Sequence, residues 1–436
     1  MCRPASGFSE MESYDLVLAG GGAAGLSLAY GLAGPEFAHW RILLVEEASK
    51  TDNDRTWCYW EKGEGSWDHL LCMQWNEMRF FGPGGRQVPL HLSPYAYKML
   101  RSGDFYAHVD AVLDRAPHIQ RRRARITDFS QGPDGSILVH LQQSPPSAAG
   151  PPAAGPPAAG PPAAGPPAAS LHVRASLVCT SIPLPGWQHA ASAGLWLNQH
   201  FKGLYIKANQ DVFEGQTATL MDFRVEQREG YPCFVYVLPT DHRHALVEYT
   251  VFSPQAWSSD AYDEPLQAYM AEILGLKPGD YRTEQVETGQ IPMTDFGFAD
   301  GWSRCYPGLP GLIPVGSMGG LSRPSTGYTF GAIQRHTQQM LEGFRRIQPA
   351  DIQSNQANLR AQLLYSMPAR FQVYDRTLLR VLVDQRYPGG SLFERLFARN
   401  STPDLLAFLD GRSHLLQEWF VMNSTPRRIM ARAMFR

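Results

Sequence analysis

Charged residues are scarce in this chain of 436 residues. They make up 18% of it, whereas about a quarter is usual for globular proteins. The 39 basic and 41 acidic residues leave a formal net charge of -2, so the basic surplus that binds a nucleic-acid backbone is missing. We therefore expect no nucleic-acid partner. With 44% hydrophobic and 11% aromatic residues, the chain has enough apolar material for large cores and for an apolar cavity.

The cysteines lack the spacing of a metal site or of a disulfide framework. They form no CxxC pair and are Cys2, Cys58, Cys72, Cys179, Cys233 and Cys305. We expect no bound metal and a reducing, cytoplasmic setting. No run of 18 apolar residues occurs, and the N-terminus carries Glu10, Glu12 and Asp15 instead of a basic region. The sequence thus predicts neither a membrane span nor a secretory signal.

The first fifty residues alternate between short apolar runs and a helix-like stretch. Residues 14–19 are mostly apolar and are followed by glycines, residues 23–32 are rich in alanine and leucine, and residues 41–45 are mostly apolar again. This order predicts strand, helix and strand, which is the opening unit of a doubly wound parallel sheet.

A glycine motif separates the first predicted strand from the first helix. Residues 20–25 read GGGAAG and fit the GxGxxG pattern of dinucleotide binding. Gly20 would permit the tight turn, Gly22 would let a pyrophosphate approach the helix N-terminus, and Gly25 would allow close helix packing. Glu46 ends the next strand and is predicted to accept hydrogen bonds from the adenosine ribose. The alternative is a glycine-rich turn without a ligand.

A second glycine cluster favours FAD over NAD as the dinucleotide. It precedes a predicted helix, where two-part flavin folds close over the cofactor, and its candidate cofactor-binding residues are Gly316, Gly319 and Gly320. Many flavoproteins carry an aspartate in this cluster, and Ser317 stands at that place here. Arg101, at the head of a helical pattern, is a candidate for contact with the pyrophosphate. A solvated arginine is the alternative.

The middle of the chain contains a series of strand patterns. Those over residues 136–141 and 171–178 flank an insert, residues 144–170, with tandem PPAAG repeats. Proline pairs fit neither a ladder nor a helix interior, so we expect an exposed, extended or disordered loop. A partner-docking motif is the alternative. An antiparallel meander is predicted from three further patterns, over residues 217–225, 232–239 and 245–252.

These patterns predict an α/β fold with a Rossmann-type FAD-binding domain, an antiparallel-sheet substrate domain and a C-terminal helical region. We assign residues 12–200 to the first part of the FAD-binding domain and residues 201–300 to the substrate domain. Residues 301–345 form the second part of the FAD-binding domain. Residues 346–436 form the helical cap.

Six short motifs follow one another along the chain. They are NDRTWCYW (53–60), LMDFR (220–224), YVLP (236–239), VEYT (247–250), IPMT (291–294) and STGY (325–328). In this order and spacing they resemble bacterial lycopene beta-cyclases, which are FAD-dependent carotenoid cyclases. The resemblance runs from Tyr14 to about Leu415, with the proline-rich insert as the chief departure. We add Arg55, in the first motif, to the predicted cofactor-binding residues.

The resemblance implies a fold of the flavoprotein hydroxylase and geranylgeranyl reductase type. It implies lycopene or another linear carotenoid as substrate, and reduced FAD, with electrons from NAD(P)H, used without net redox change. An acid protonates the terminal double bond, the cation closes a ring, and loss of a ring proton leaves a beta-ionone ring. The implied location is peripheral, on the cytoplasmic face of the membrane.

Glu248 is the candidate proton donor. The two-residue period of a strand over residues 245–252 puts it on one face with Leu246, Thr250 and Phe252, and such neighbours disfavour its charged form. The resemblance aligns Glu248 with an acidic motif of the family. The alternative is a glutamate on a solvent-facing strand surface.

Asp222 is the second candidate catalytic carboxylate, also aligned with a family motif. It shares a strand face with Arg224, whose charge favours a structural, orienting or base role for Asp222; a structural salt bridge is the alternative. Aromatic residues near these carboxylates are candidates for cation–π contacts or for plain core: Phe223, Tyr236, Tyr249, Phe252 and Trp257.

The tail, residues 425–436, carries arginines interleaved with apolar residues and has no acidic residue. Such a basic amphipathic helix can lie on an anionic membrane surface; a solvated helix is the alternative.

Two other functions remain open from the sequence. They are a flavin monooxygenase or polyprenyl reductase of the same fold, and a non-catalytic flavin- or carotenoid-binding protein.

Overall fold

A computed structural model describes residues 11–143 and 170–435. Cys2 and the insert, except Ser170, lie outside the described residues. Within them the strands are β1 (Ser13–Ala19), β2 (Ile42–Glu46), β3 (Thr56–Lys62), β4 (Met73–Trp75), β5 (Glu77–Phe81), β6 (Gln87–His91), β7 (Tyr95–Arg101), β8 (Ile119–Gln131), β9 (Ile137–Gln143), β10 (Ser170–Thr180), β11 (Trp196–Ala208), β12 (Thr217–Asp222), β13 (Cys233–Pro239), β14 (His244–Ser253), β15 (Tyr281–Thr294) and β16 (Leu312–Pro314).

Helices lie on both sides of the sheets, and most of them belong to the C-terminal part of the chain. They are α1 (Ala23–Leu32), α2 (Ser102–Leu113), α3 (Trp187–Ser192), α4 (Asp263–Glu272), α5 (Phe298–Cys305), α6 (Phe330–Phe344), α7 (Gln356–Leu363), α8 (Ala369–Val383), α9 (Gly389–Arg399), α10 (Thr402–Leu409), α11 (Leu415–Ser424) and α12 (Arg427–Met434). In the stretches that the structure describes, no helix combines the length and apolar character needed to cross a membrane.

The first sheet is built on parallel strands in the order β8–β2–β1–β10–β16. Leu16 and Leu18 of β1 belong to the core shared with α1 and α6, whereas Val17 and Ala19 belong to the core on the opposite face. Burial on both faces explains the continuous apolar runs of β1 and β2. The strands β8 and β10 extend beyond this layer and pair antiparallel with β9.

The second sheet has the order β15–β11–β14–β13–β12–β5–β6. Its centre is the predicted meander, present as β12, β13 and β14. One face packs against α4, and the other packs against the C-terminal helices and a small sheet in the order β3–β7–β4. The predicted α/β class, with a second sheet that is mainly antiparallel and with C-terminal helices, is confirmed.

Two of the longest strands, β11 and β15, were not predicted. They carry buried polar side chains that break the apolar pattern, among them Gln199, His200 and Lys202 of β11 and Glu287 of β15. The strand β11 runs across residues 200 and 201, where one of the predicted domain bounds lies. The strands β5 and β6 pair with the second sheet although they precede residue 200, since β5 lies parallel to β12. The functional division into domains stays a prediction.

Candidate active site

The glycine motif forms the turn from β1 into α1. Gly20 has a φ of 107°, which a side chain would strain. A Cβ on Gly25 would lie 1.9 Å from the carbonyl oxygen of Gly20, whereas a Cβ on Gly22 would meet nothing within 4 Å. Gly20 and Gly25 are thus needed for the turn itself, and the space in front of Gly22, at the N-terminus of α1, is open to a ligand.

Glu46 lies at the end of β2, beside this turn. Its carboxylate accepts hydrogen bonds from the backbone N–H of Gly21, from Glu47 at 3.0 Å and from Ala48 at 3.2 Å. Glu46, Gly20 and Gly22 together line a cleft of about 520 Å³. The turn, the carboxylate and the cleft fit the adenosine and pyrophosphate part of a dinucleotide.

The second glycine cluster lies against the first. Gly316–Gly319 form a short 3-10 helix, and a Cβ on Gly316 would come within 3.0 Å of the Cβ of Ala24 in α1. Ser317 accepts a hydrogen bond from the Ser322 hydroxyl at 3.3 Å. The structure therefore brings Gly316 to the end of α1 that carries the glycine motif, and Gly319 and Gly320 complete the same short turn.

The two predicted arginines do not line that cleft. Arg55 donates hydrogen bonds to the carbonyls of Asp54 at 2.7 Å and Thr288 at 3.3 Å. Arg101 ends β7 and lies over the ring of Tyr205, 5.3 Å from its centroid. The Nε of Arg101 is buried and has no hydrogen-bond partner among the described residues. Its N–H group is therefore available to donate a hydrogen bond to a ligand. A cofactor contact for either arginine remains a prediction.

A cavity of about 130 Å³ lies between the second sheet, β3, β7 and the loop before α6. Six of its lining residues are aromatic: Trp57, Tyr97, Phe201, Tyr236, Tyr328 and Phe330. Glu248 lines it too, as the one acidic residue of the lining. Of the five aromatic residues singled out from the sequence, Tyr236 reaches this cavity. The other aromatic residues of the cavity lie far apart in the sequence, so no local pattern predicts that they meet.

The surroundings of Glu248 favour its protonated form. Burial, followed by repulsion from Glu287, raises its pKa from 4.5 to about 8, against the opposing effect of a hydrogen bond from the Thr250 hydroxyl. That hydroxyl donates to Oε1 at 3.0 Å. A carboxylic acid that keeps its proton at pH 7 is suited to general acid catalysis.

Asp222 lies on the opposite face of the sheet from Glu248. Asp222 pairs with Val235, and Val235 pairs with Tyr249, so these three share a face; Glu248 is next to Tyr249 in β14 and points the other way. The fully buried carboxylate of Asp222 accepts hydrogen bonds from Arg224 and, at 2.8 Å, from the Tyr269 hydroxyl. The structure therefore does not bring the two predicted catalytic carboxylates together.

The loop that carries Tyr328 into the cavity is held by a buried ion pair. Arg323 donates to Asp375 of α8 at 2.6 Å, and the Ser325 hydroxyl donates to the same oxygen at 2.7 Å. Arg323 and Asp375 are almost inaccessible to solvent. Loss of one partner would leave a buried charge without compensation, so this pair fixes one wall of the cavity.

The family of the chain follows from its sequence as a whole. A model of the family described as "Lycopene cyclase protein" matches residues 15–149 and 167–435. The chain belongs to the lycopene cyclase family. This result confirms the resemblance carried by the six motifs. A comparison with curated protein sequences finds no match.

Solved structures of low sequence identity share the fold. A geranylgeranyl bacteriochlorophyll reductase-like protein from Thermoplasma acidophilum has a TM-score of 0.60 at 14% identity, covering 97% of this chain and 99% of its own. A p-nitrophenol 4-monooxygenase from Pseudomonas putida has a TM-score of 0.51 at 13% identity, covering 98% and 97%. A flavin-dependent halogenase from Xanthomonas campestris has a TM-score of 0.51 at 12% identity, covering 97% and 96%.

Gly22→Val tests the cofactor cleft. Gly22 has a φ of -82°, which valine adopts readily, so the variant should fold normally and yet fill the space that a pyrophosphate needs. We expect purified Gly22→Val to lose most of its bound FAD, measured by the flavin absorbance per protein. Gly84→Val is the matched control, because a Cβ there also meets nothing within 4 Å. Equal flavin in both variants would contradict the assignment.

Proposed function

We propose that this protein is a lycopene beta-cyclase. It protonates the acyclic psi end group of lycopene and closes it to a beta-ionone ring, giving gamma-carotene and, after the second end, beta-carotene. The observation that carries the proposal is the Glu248 carboxyl, whose pKa is raised to about 8, in a cavity walled by aromatic rings. The reaction needs an acid that stays protonated near neutral pH, and Glu248 meets that requirement.

Glu248 begins the reaction by donating its proton to the terminal double bond. The carbocation left on the chain is attacked by a neighbouring double bond of the same molecule, which closes the six-membered ring. Loss of a ring proton then restores neutrality, so substrate and product are isomers. No electrons are gained or lost in this sequence.

The aromatic walls suit a cationic intermediate. Tyr236 lies directly opposite Glu248 on the neighbouring strand, and Tyr328 lines the same cavity. Ring faces attract positive charge by about 0.5–2 kcal/mol each, more where water is excluded. The same apolar walls keep water from capturing the cation before the ring closes.

FAD is the proposed cofactor, in its reduced form and with NAD(P)H as the electron source. The residues proposed to hold it are Gly20, Gly22, Gly25, Glu46, Gly316, Gly319 and Gly320, with Arg55 and Arg101 as further candidates. When bound, the reduced flavin supplies an electron-rich ring that steadies positive charge. We assign Asp222 a structural role, because Arg224 and Tyr269 engage its carboxylate on the other face of the sheet.

Glu248→Gln tests the acid. The amide keeps the size of the side chain and still accepts the Thr250 hydrogen bond, but it has no acidic proton. We expect the rate of lycopene cyclisation to fall by roughly 10²- to 10⁴-fold, measured by chromatography of the pigments, with FAD content unchanged. Glu264→Gln, which removes an exposed carboxylate that pairs with Arg228, is the control. Wild-type rates in Glu248→Gln would exclude Glu248 as the proton donor.

We also propose that the protein binds the cytoplasmic face of the membrane through α11 and α12. In α11, Leu415, Leu416, Trp419 and Phe420 are all more than half exposed and share one side of the helix. Glu418, in contrast, is buried and accepts a hydrogen bond from Arg370. The helix thus turns its apolar side outward, the reverse of an ordinary surface helix.

The charge next to this apolar side favours an anionic lipid surface as its partner. Arg427, Arg428 and Arg432 of α12 are exposed, and none of them forms an ion pair within the described part of the chain. Phe435, just beyond α12, is 85% exposed. Exposed aromatic residues beside free arginines are typical of helices that lie in the membrane interface, and lycopene is itself dissolved in lipid.

The double variant Trp419→Glu/Phe420→Glu tests this membrane contact. Burial of each large apolar side chain contributes about 1.5–3 kcal/mol, so we expect binding to vesicles of anionic phospholipid to weaken by roughly tenfold or more, measured by co-flotation. Leu171→Glu is the control, because Leu171 is an exposed apolar residue of β10, away from α11. Unchanged flotation of the double variant would reject the proposed surface.

A further inference from the structure

A second carboxylate lies in register with Glu248. On the middle strand β11, Gly203 pairs with Glu248 of β14 on one side and with Glu287 of β15 on the other. Residues in register on adjacent strands project from the same face. Glu248 and Glu287 therefore stand on the cavity face of the sheet with Gly203 between them, about 10 Å apart at Cα.

Gly203 contributes no side chain to the space between Glu248 and Glu287. A Cβ at this position would lie 2.8 Å from a methyl group of Leu246 and 3.4 Å from the Cβ of Glu248. Leu246 also lines the cavity. The Leu246 side chain occupies the space over Gly203, so even a methyl group on Gly203 would push into the wall of the site, next to Glu248.

Glu287 is held in place from the small sheet. It is 4% exposed. Its Oε1 accepts the backbone N–H of Thr56 at 2.8 Å, and its Oε2 accepts the Thr56 hydroxyl at 2.6 Å. The Tyr205 hydroxyl makes a further hydrogen bond with that of Thr56. Burial raises the pKa of Glu287, and the two hydrogen bonds from Thr56 to its charged form oppose that rise. Because the charge of Glu287 in turn raises the pKa of Glu248, Glu287 is the member of the pair that ionises first.

The other titratable groups facing Glu248 are neutral near pH 7. Burial raises the pKa of the Cys58 thiol on β3 and of the hydroxyls of Tyr97 on β7, Tyr236 on β13 and Tyr328 before α6. Around Glu287, the positive charge of Arg55 opposes the effect of burial, and Asp54 adds to it. Among the described residues, Glu287 is thus the group whose charge acts on Glu248 in the neutral range.

We propose, resting on the proposed cyclase function, that Glu287 is a positioning residue of the site. As the ionised partner across Gly203, held by Thr56, it keeps the proton on Glu248 so that Glu248 can serve as the acid. Glu287 itself does not line the cavity and does not exchange a proton with the substrate. Its effect on the reaction passes through Glu248.

The charge of Glu287 sets the pH range in which Glu248 is protonated and active. Glu248 is active when protonated, so cyclisation falls as the pH rises through its pKa. Removal of the negative charge of Glu287 makes Glu248 easier to ionise and moves this fall to lower pH. Two unit charges at this separation, at an effective dielectric constant of about 20, predict a displacement of about one pH unit.

The experiment is the pH dependence of kcat/KM for lycopene in purified, flavin-loaded protein. Glu287→Gln and Glu287→Met both remove the charge at similar length, and Glu287→Asp keeps it. We expect both neutral variants to lose activity about one pH unit earlier than wild type and to match it at low pH, with the aspartate variant close to wild type. Glu284→Gln is the control, since Glu284 is a solvent-facing carboxylate of the same strand that pairs with Arg282. Use of two neutral variants covers the case in which one of them fails to fold.

The possible results distinguish the role of Glu287 from the proposed cyclase function. A profile that does not move in the neutral variants, while Glu248→Gln is inactive, overturns the role of Glu287 and leaves the cyclase proposal intact. A uniform loss of rate without displacement also overturns it, because it shows a role in folding or in substrate binding. If wild-type protein closes no ring at any pH, the proposed function itself is wrong.

Discussion

The burial of one carboxyl group among aromatic rings is the constraint on which the site depends. Glu248 holds a proton near neutral pH because the cavity solvates its charged form poorly. That cavity exists because three distant parts of the chain meet there, namely the second sheet, β3 with β7, and the loop before α6. The loop in turn depends on the buried contact between Arg323 and Asp375. The protonated state of Glu248 near neutral pH therefore depends on tertiary packing rather than on its own strand.

The proposed acid and the polar contacts that support the second sheet lie on its two opposite faces. Its cavity face carries Glu248 and Glu287, with Gly203 in register between them. Its other face carries polar contacts that tie the sheet to α4 and the turn before it, such as Lys202 with Asp263 at 2.5 Å and Asp222 with Tyr269 at 2.8 Å. Because side chains alternate along each strand, Glu248 of β14 and Asp222 of β12 point to opposite faces.

Local rules were sufficient to predict part of this arrangement from the sequence. The turn around Gly20 needs particular backbone angles, and the two-residue period put Glu248 and Thr250 on one face, so both were visible in single segments. The contact between Glu287 and Thr56 could not be predicted in this way, because it joins positions 231 residues apart. The polar character of β15 also hid the strand itself. The opposite orientation of Asp222 depends on register across three strands, which no single strand reveals.

The central claim is that the protein closes carotenoid rings by protonation without net redox change. The most direct measurement is the mass of the product formed from lycopene in D₂O by the holoenzyme under anaerobic conditions. Because the Glu248 proton exchanges with solvent between turnovers, the account predicts a ring-closed isomer that is one mass unit heavier for each ring, with many rings closed per flavin reduced. A product that has gained an oxygen atom would contradict it and would show a monooxygenase instead. A product that has gained a hydride and a proton, with one flavin oxidised per turnover, would also contradict it and would show a reductase.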